Sequence, residues 1–219
     1  HGCDAGLAFD GDADRCLAVD ENGDLVDGDK LIAIAANAMK NNGSLKNNTA
    51  VVTIMSNLGF FHFAKREGIE TAATKVGDRY VLEKMLEKGY NIGGEQSGHI
   101  IFLDHATTGD GQLSGAKIIE ILVNSGKKMS ELASVMESFP QLMLNVRIES
   151  KHRNVWRDDE NVKAVMSSYE EKLGDDGRIL VRESGTEPLI RVMVEAKDAA
   201  LMKEACKNIA AAIEKFIHK

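Results

Sequence analysis

Asp10-Gly11-Asp12-Ala13-Asp14-Arg15 sets three carboxylates at alternate positions, directly after the apolar run Leu7-Ala8-Phe9. Negative charge packed so densely is costly unless a cation neutralises it. Gly11 and Ala13 are small enough to let the backbone bend around an ion. Oxygen donors suit a hard divalent cation, Mg²⁺, Mn²⁺ or Ca²⁺, rather than a soft one. Arg15 adds a fixed guanidinium at the rim, and a metal beside a guanidinium points to an anionic guest such as a phosphate.

Other readings compete for this loop. A solvated acidic turn would need neither metal nor guest. An EF-hand would use Asp10, Asp12 and Asp14 as ligands one, three and five and Glu21 as the twelfth. Its sixth position calls for Gly, where this chain has Arg15, and the flanks Leu7-Ala8-Phe9 and Leu17-Ala18-Val19 read as strands. A haloacid-dehalogenase-type phosphatase also uses Asp-x-Asp after a strand, with the first Asp as nucleophile. Three carboxylates favour metal capture over nucleophilic attack.

Two more loops have side chains fit for chemistry. In Gly93-Gly94-Glu95-Gln96-Ser97-Gly98-His99, an extended backbone would put Glu95, Ser97 and His99 on one face. Carboxylate, hydroxyl and imidazole together suit the vicinal hydroxyls of a sugar; a polar turn with a satisfied His is the plainer alternative. Arg182-Glu183-Ser184-Gly185-Thr186-Glu187-Pro188 lies between two strand-like runs. Its guanidinium, hydroxyls and glycine suit a phosphate, without the spacing of a P-loop; a surface turn is again the alternative. A weaker candidate is Lys75-Val76-Gly77-Asp78-Arg79-Tyr80, at a strand-to-helix junction where Asp78 is also placed to cap the helix.

Composition narrows the function classes. The 219 residues carry a net charge of -7 and are 43% hydrophobic, enough for one or two ordinary domains with real cores. The negative balance disfavours nucleic acid as a partner. Cys3, Cys16 and Cys206 are scattered and odd in number, which suggests free thiols in a reducing compartment, the cytoplasm. No apolar run has the length of a membrane span, and no signal peptide is recognisable. The chain starts at His1 and reaches a strand-like run within a few residues, so it reads as a piece of a longer protein.

Strands and helices that would position these loops alternate along the chain. Gly6 to Phe9 leads into the acidic loop, and Asn22-Gly23 signals a hairpin between Cys16 to Val19 and Asp24 to Val26. Asp29 is expected to cap a helix to about Lys40, Ser56 to start one ending near Gly68, and Ser130 to cap a short one before Pro140. The continuous apolar run Ala50 to Met55 reads as a buried parallel strand. Ile69 to Thr74 and Tyr90 to Gly94 read as further strands, and Val81 to Lys88 and Leu113 to Asn124 as helices. After Pro140 the order becomes βαββα with one-sided strands. The fold class is therefore α/β: a mostly parallel mixed sheet flanked by helices, followed by a small α+β domain.

Taken together, the acidic loop, Gly94-Glu95-Gln96-Ser97-Gly98-His99 and Arg182-Glu183-Ser184-Gly185-Thr186-Glu187-Pro188 resemble, in this order, the metal, sugar and phosphate loops of the α-D-phosphohexomutase superfamily. Val76 to Tyr80, Gln96, His99 to Leu103 and Thr107 to Gly111 tie it most closely to the bacterial amino-sugar branch. The resemblance implies four domains around one cleft, of which this chain would hold the end of the second (1–28), the third (29–140) and the fourth (141–219). It implies Mg²⁺ on Asp10, Asp12 and Asp14, with Arg15 assisting transfer. It implies sugar contacts by Asp78, Arg79, Glu95, Ser97 and His99, and a phosphate held by Arg182, Ser184, Gly185 and Thr186. The implied substrate is a phosphorylated amino sugar, glucosamine 6-phosphate, isomerised to glucosamine 1-phosphate for cell-wall precursors through a bisphosphorylated intermediate. The phosphoserine that carries the phosphoryl group would belong to absent N-terminal domains, because no Ser-His-Asn-Pro loop occurs here. The chain alone is expected to be inactive.

Overall fold

A computed structural model describes residues 2–149, 152–185 and 187–218. It divides into two compact units, residues 1–138 and residues 139–219. No helix among the described residues is long and apolar enough to cross a membrane.

The first unit opens with a three-stranded antiparallel sheet of β1 (Ala5–Phe9), β2 (Cys16–Asp20) and β3 (Leu25–Val26). Its hairpin forms where Asn22-Gly23 predicts it: Gly23 takes φ 90°, and Asp20 Oδ1 accepts the N–H groups of Asn22 and Asp24 at 2.8 and 3.0 Å. Next come α1 (Gly28–Asn41), β4 (Thr49–Thr53), α2 (Leu58–Glu67), β5 (Glu70–Thr74) and α3 (Asp78–Lys88). Then follow β6 (Ile92–Gly94), β7 (Ile100–Phe102), α4 (Gly111–Ser125) and α5 (Met129–Ala133). The second sheet has order β5-β4-β6-β7, with β4 parallel to β5 and β6, and β7 antiparallel at the edge. Every residue of β4 is buried, as its unbroken apolar run requires of a strand covered on both faces.

One core joins the helices to the small sheet: Leu31, Ile32, Phe60, Phe63 and Ile118 pack with Ala18 and Val26. Residues 1–28 are therefore no separate body here but part of the first unit. Each fully buried Phe contributes about 1.5–3 kcal/mol relative to exposure.

Four helix starts differ from the sequence reading. Asp27, not Asp29, caps α1, accepting the Lys30 N–H at 3.1 Å. Asp29 is wholly buried and accepts the Asn57 N–H at 2.7 Å, so its carboxylate is spent on α2. Asn57, not Ser56, caps α2 through the Gly59 N–H. Gly77 precedes α3 at φ 127°, a conformation that asks for glycine, and Asp78 falls inside the first turn. Lys128 precedes α5, with Glu131 Oε2 accepting its N–H at 2.8 Å, while Ser130 bonds to Glu21. For α1 two aspartates could cap, and the one whose carboxylate was not committed to α2 does so.

The second unit holds β8 (Gln141–Arg147), α6 (Glu160–Leu173), β9 (Gly177–Glu183), β10 (Leu189–Ala196) and α7 (Ala199–Ile217). The sheet is antiparallel in the order β8-β10-β9. Val146, Ile190 and Val192 face a core with Trp156, Val162, Ile209 and Ile213, so both helices lie on one face. Alternation sends Asn145, Arg147, Arg182 and Arg191 to the other face.

Candidate active site

The acidic loop is a tight turn between β1 and β2. Ala13 N–H donates to Asp10 O at 3.2 Å, and Ala13 adopts φ 59°, the left-handed region that costs a non-glycine residue roughly 1 kcal/mol. This bend draws one oxygen each of Asp10, Asp12 and Asp14 within 4.8 Å of one another. Arg15 N–H donates to Asp10 Oδ1 at 3.3 Å, and its Nε stands 3.7 Å from Asp10 and 3.9 Å from Asp14. Strands flank the loop on both sides, which removes the EF-hand.

Asp14 is the least exposed of the three. Its Oδ2 meets His99 Nδ1 at 3.0 Å, while its Oδ1 is buried with no hydrogen-bond donor and has only the Arg15 guanidinium 3.9 Å away. A buried carboxylate oxygen without a donor is costly unless a cation meets it. The site therefore fits a hard divalent ion on its own geometry. The ring of His99 accepts the Gly109 N–H on Nε2 at 3.1 Å, so in the neutral ring the proton belongs on Nδ1, facing Asp14.

His99 corrects the expectation for the sugar loop. It is 4% exposed with both nitrogens engaged, and so offers nothing to a sugar. The segment is not extended: residues 95–98 form a turn closed by Gly98 N–H to Glu95 O and Glu95 N–H to His99 O, both at 3.0 Å. Gly98, at φ 93°, breaks the alternation. Ser97 stays exposed, and Glu95 Oε1 accepts the Gly77 N–H at 2.9 Å. That bond brings the sugar loop to the start of α3, where Asp78 and Arg79 sit on the surface. Asp78 Oδ2 approaches His99 Nε2 no closer than 3.9 Å. Arg79 is occupied by Glu83 at 2.7 Å, which raises its pKa.

Backbone approach locks the acidic loop, the turn and two helix starts together. Gly111 N–H donates to Ala13 O at 2.9 Å, Cys16 N–H to Gly98 O at 3.1 Å, and Gly28 N–H to Gln96 O at 3.0 Å. A Cβ on Gly28 would lie 2.6 Å from Gly98 N and 2.7 Å from Gln96 O, and one on Gly109 would enter the His99 ring. Gln96 Nε2 also reaches the capping Asp27 at 3.2 Å.

In the second unit, Arg182 is the next-to-last residue of β9 and Ser184 is buried in the turn to β10. Ser184 Oγ accepts the Glu187 N–H at 3.2 Å, and Gly185 is exposed. Thr186 lies outside the described residues. Sequence reading missed Arg191, which sits directly opposite Arg182 across the β9–β10 register. Folding the chain about the middle of the loop would have found it. The Nε atoms of both arginines are buried without partners. Burial and then Arg191 lower the Arg182 pKa. Two opposed guanidiniums with unpaired Nε–H donors have the chemistry to meet an anion, although Arg191 Nη2 also donates to Glu187 Oε2 at 3.0 Å. Behind them Glu183 accepts the Asn154 N–H at 2.7 Å and the Trp156 indole at 3.0 Å, which fixes the loop's other face.

Comparison with known proteins gives a consistent result. The model of the phosphoglucomutase/phosphomannomutase α/β/α domain III matches residues 27–139, and that of the C-terminal domain of the same family matches residues 143–212. Phosphoglucosamine mutase of Acetivibrio thermocellus is 54% identical over 97% of this chain and 47% of its own length. Its counterpart in Thermoanaerobacter pseudethanolicus is 52% identical over 100% of this chain and 49% of its own. The chain thus spans about half the length of the curated relatives it matches. Among solved structures, Aspergillus fumigatus N-acetylphosphoglucosamine mutase in complex with GlcNAc-6P and magnesium superposes with TM-score 0.77 at 21% identity, over 96% of this chain and 48% of that one. The fold is shared with it.

Proposed function

The chain belongs to the phosphoglucomutase/phosphomannomutase family, and on that footing we propose that it is the C-terminal half of a phosphoglucosamine mutase. The observation that carries the reading is 52–54% identity along essentially the whole chain to relatives of that name. The proposed reaction interconverts glucosamine 6-phosphate and glucosamine 1-phosphate in the cytoplasm, in the service of peptidoglycan precursors. A phosphoserine in the rest of the protein would give its phosphoryl group to the sugar, and the bisphosphorylated sugar would return its other phosphate. Residues up to about 28 are proposed as the end of a second domain, 29–140 as the third and 141–219 as the fourth.

Asp10, Asp12 and Asp14 would hold Mg²⁺, with Asp14 Oδ1, buried and without a hydrogen-bond donor, among the ligand atoms. When bound, that ion offsets negative charge on a phosphoryl group in transit. Arg15 stands beside two of the three carboxylates and would steady the same charge. Glu95 and Ser97 would each offer an oxygen to sugar hydroxyls, with Asp78 and Arg79 at the adjoining helix start. His99 acts one step back, holding Asp14. Arg182, Arg191, Ser184 and Gly185, with Thr186, would bind the phosphate that is not reacting.

The test is turnover by the full-length protein in Mg²⁺. Glucosamine 6-phosphate should exceed mannose 6-phosphate and glucose 6-phosphate in kcat/KM by at least about tenfold, a difference of about 1.4 kcal/mol in transition-state binding. Equal turnover of a neutral sugar phosphate would overturn the substrate assignment.

A further inference from the structure

We propose that Arg147 is a third phosphate-binding guanidinium, which with Arg182 and Arg191 forms a strip of one arginine from each strand across β9, β10 and β8. The inference rests on reading the Arg182 loop as a phosphate site and extends that site to a strand not included in it.

Register places the residue. Arg191 lies opposite Arg182 on β9 and opposite Asn145 on β8. Arg147 lies opposite Leu189, two residues from Arg191 along the same face of β10. Diagonal neighbours of this kind stand about 7–8 Å apart, within reach of long side chains. The backbone closes the same distance, because Ile148 N–H donates to Pro188 O at 3.0 Å and so ties the end of β8 to the end of the loop.

Charge then separates Arg147 from Arg178 and Arg191 on this face. Arg178 is paired with the buried Glu195 at 2.5 Å, and Arg191 with Glu187 at 3.0 Å. The Arg147 side chain has no hydrogen bond or ion pair among the described residues, and it is exposed. The Glu187 carboxylate is already held by Arg191, and Arg153 donates to the Glu187 backbone carbonyl at 3.3 Å. Three guanidiniums on one strip of sheet repel one another, and an incoming dianion relieves that repulsion. A phosphate on the Arg182–Arg191 pair would therefore find Arg147 at its open side.

The experiment is a ¹⁵N NMR titration of the chain with glucosamine 6-phosphate and, separately, inorganic phosphate, following the Gly185 amide. R147Q should weaken binding of both by about 3- to 10-fold and flatten the salt dependence, at an unchanged melting temperature. R147K, which keeps the charge, should retain most of the affinity. R182Q serves as the reference for the loop itself. If R182Q weakens binding and R147Q does not, the assignment of Arg147 is overturned while the phosphate loop stands. If wild-type protein gives no Gly185 shift, or R182Q leaves it unchanged, the phosphate-loop reading falls and Arg147 with it.

Discussion

His99 Nδ1 lies 3.0 Å from Asp14 Oδ2, a hydrogen bond between a turn after β6 and a loop after β1 that are 85 residues apart. It leaves the other Asp14 oxygen buried without a hydrogen-bond donor, 3.9 Å from the Arg15 guanidinium. Groups that orient a metal ligand in this way are typically worth about 10- to 100-fold in metal affinity. H99A should therefore weaken Mn²⁺ binding by at least about tenfold in an electron-spin-resonance titration. G109A should act in the same direction without touching either residue, because its Cβ would displace the His99 ring. Wild-type affinity in both variants would show that the bond does not position Asp14.

The Arg182–Arg191 pair makes a separate prediction. R191Q should lower affinity for glucosamine 6-phosphate by about tenfold, the loss of one charge-assisted contact. Mn²⁺ affinity should not change, since Arg191 lies in the other unit. Calorimetry with each ligand reads the two effects independently.

Acid should loosen the second unit through Glu183. Burial works to raise its pKa, but the Asn154 N–H, the Trp156 indole and the nearby Arg157 and Arg153 outweigh it and hold the carboxyl below its ordinary range. A depressed folded-state pKa adds stability that is complete above the unfolded value, about 4.3, and is lost as pH falls through the folded value. Urea unfolding of E183Q should thus show lower stability at pH 7 and a shallower decline below about pH 4.3 than wild type. Parallel pH profiles would mean that Glu183 titrates alike in both states.

Gly28 tests the contact between α1 and the 95–98 turn. Gly to Ala at a compatible helix position usually stabilises by about 0.4–1 kcal/mol. Here the added methyl would strike Gly98 N and Gln96 O, so G28A should instead cost about 1–3 kcal/mol. Thermal unfolding gives the sign directly.

These loops were readable in the sequence because their side chains have little other reason to cluster. Three alternating aspartates announce a cation, and Arg182 with Ser184 and Gly185 announces an anion. What escaped was backbone shape and long-range pairing. Glu95, Ser97 and His99 look like one face of a strand until Gly98 turns left-handed and closes the turn. Asp27 and Asp29, or Ser56 and Asn57, are equal caps on paper, and burial of Asp29 decided between the first two. The βαββα order was plain from periodicity. That Arg191 faces Arg182 follows only from the hairpin register, and that His99 reaches Asp14 follows only from packing.

Ala13 has one further consequence. Its left-handed backbone, held by Asp10 O on one side and by Gly111 on the other, keeps the acidic loop in a single shape. A glycine there would sit without strain but would let the loop wander among many shapes. The disorder that a wandering loop must surrender on capturing an ion has here already been surrendered when the chain folds. The three carboxylates wait in register, and arrival of the ion is left to cost mainly its own dehydration.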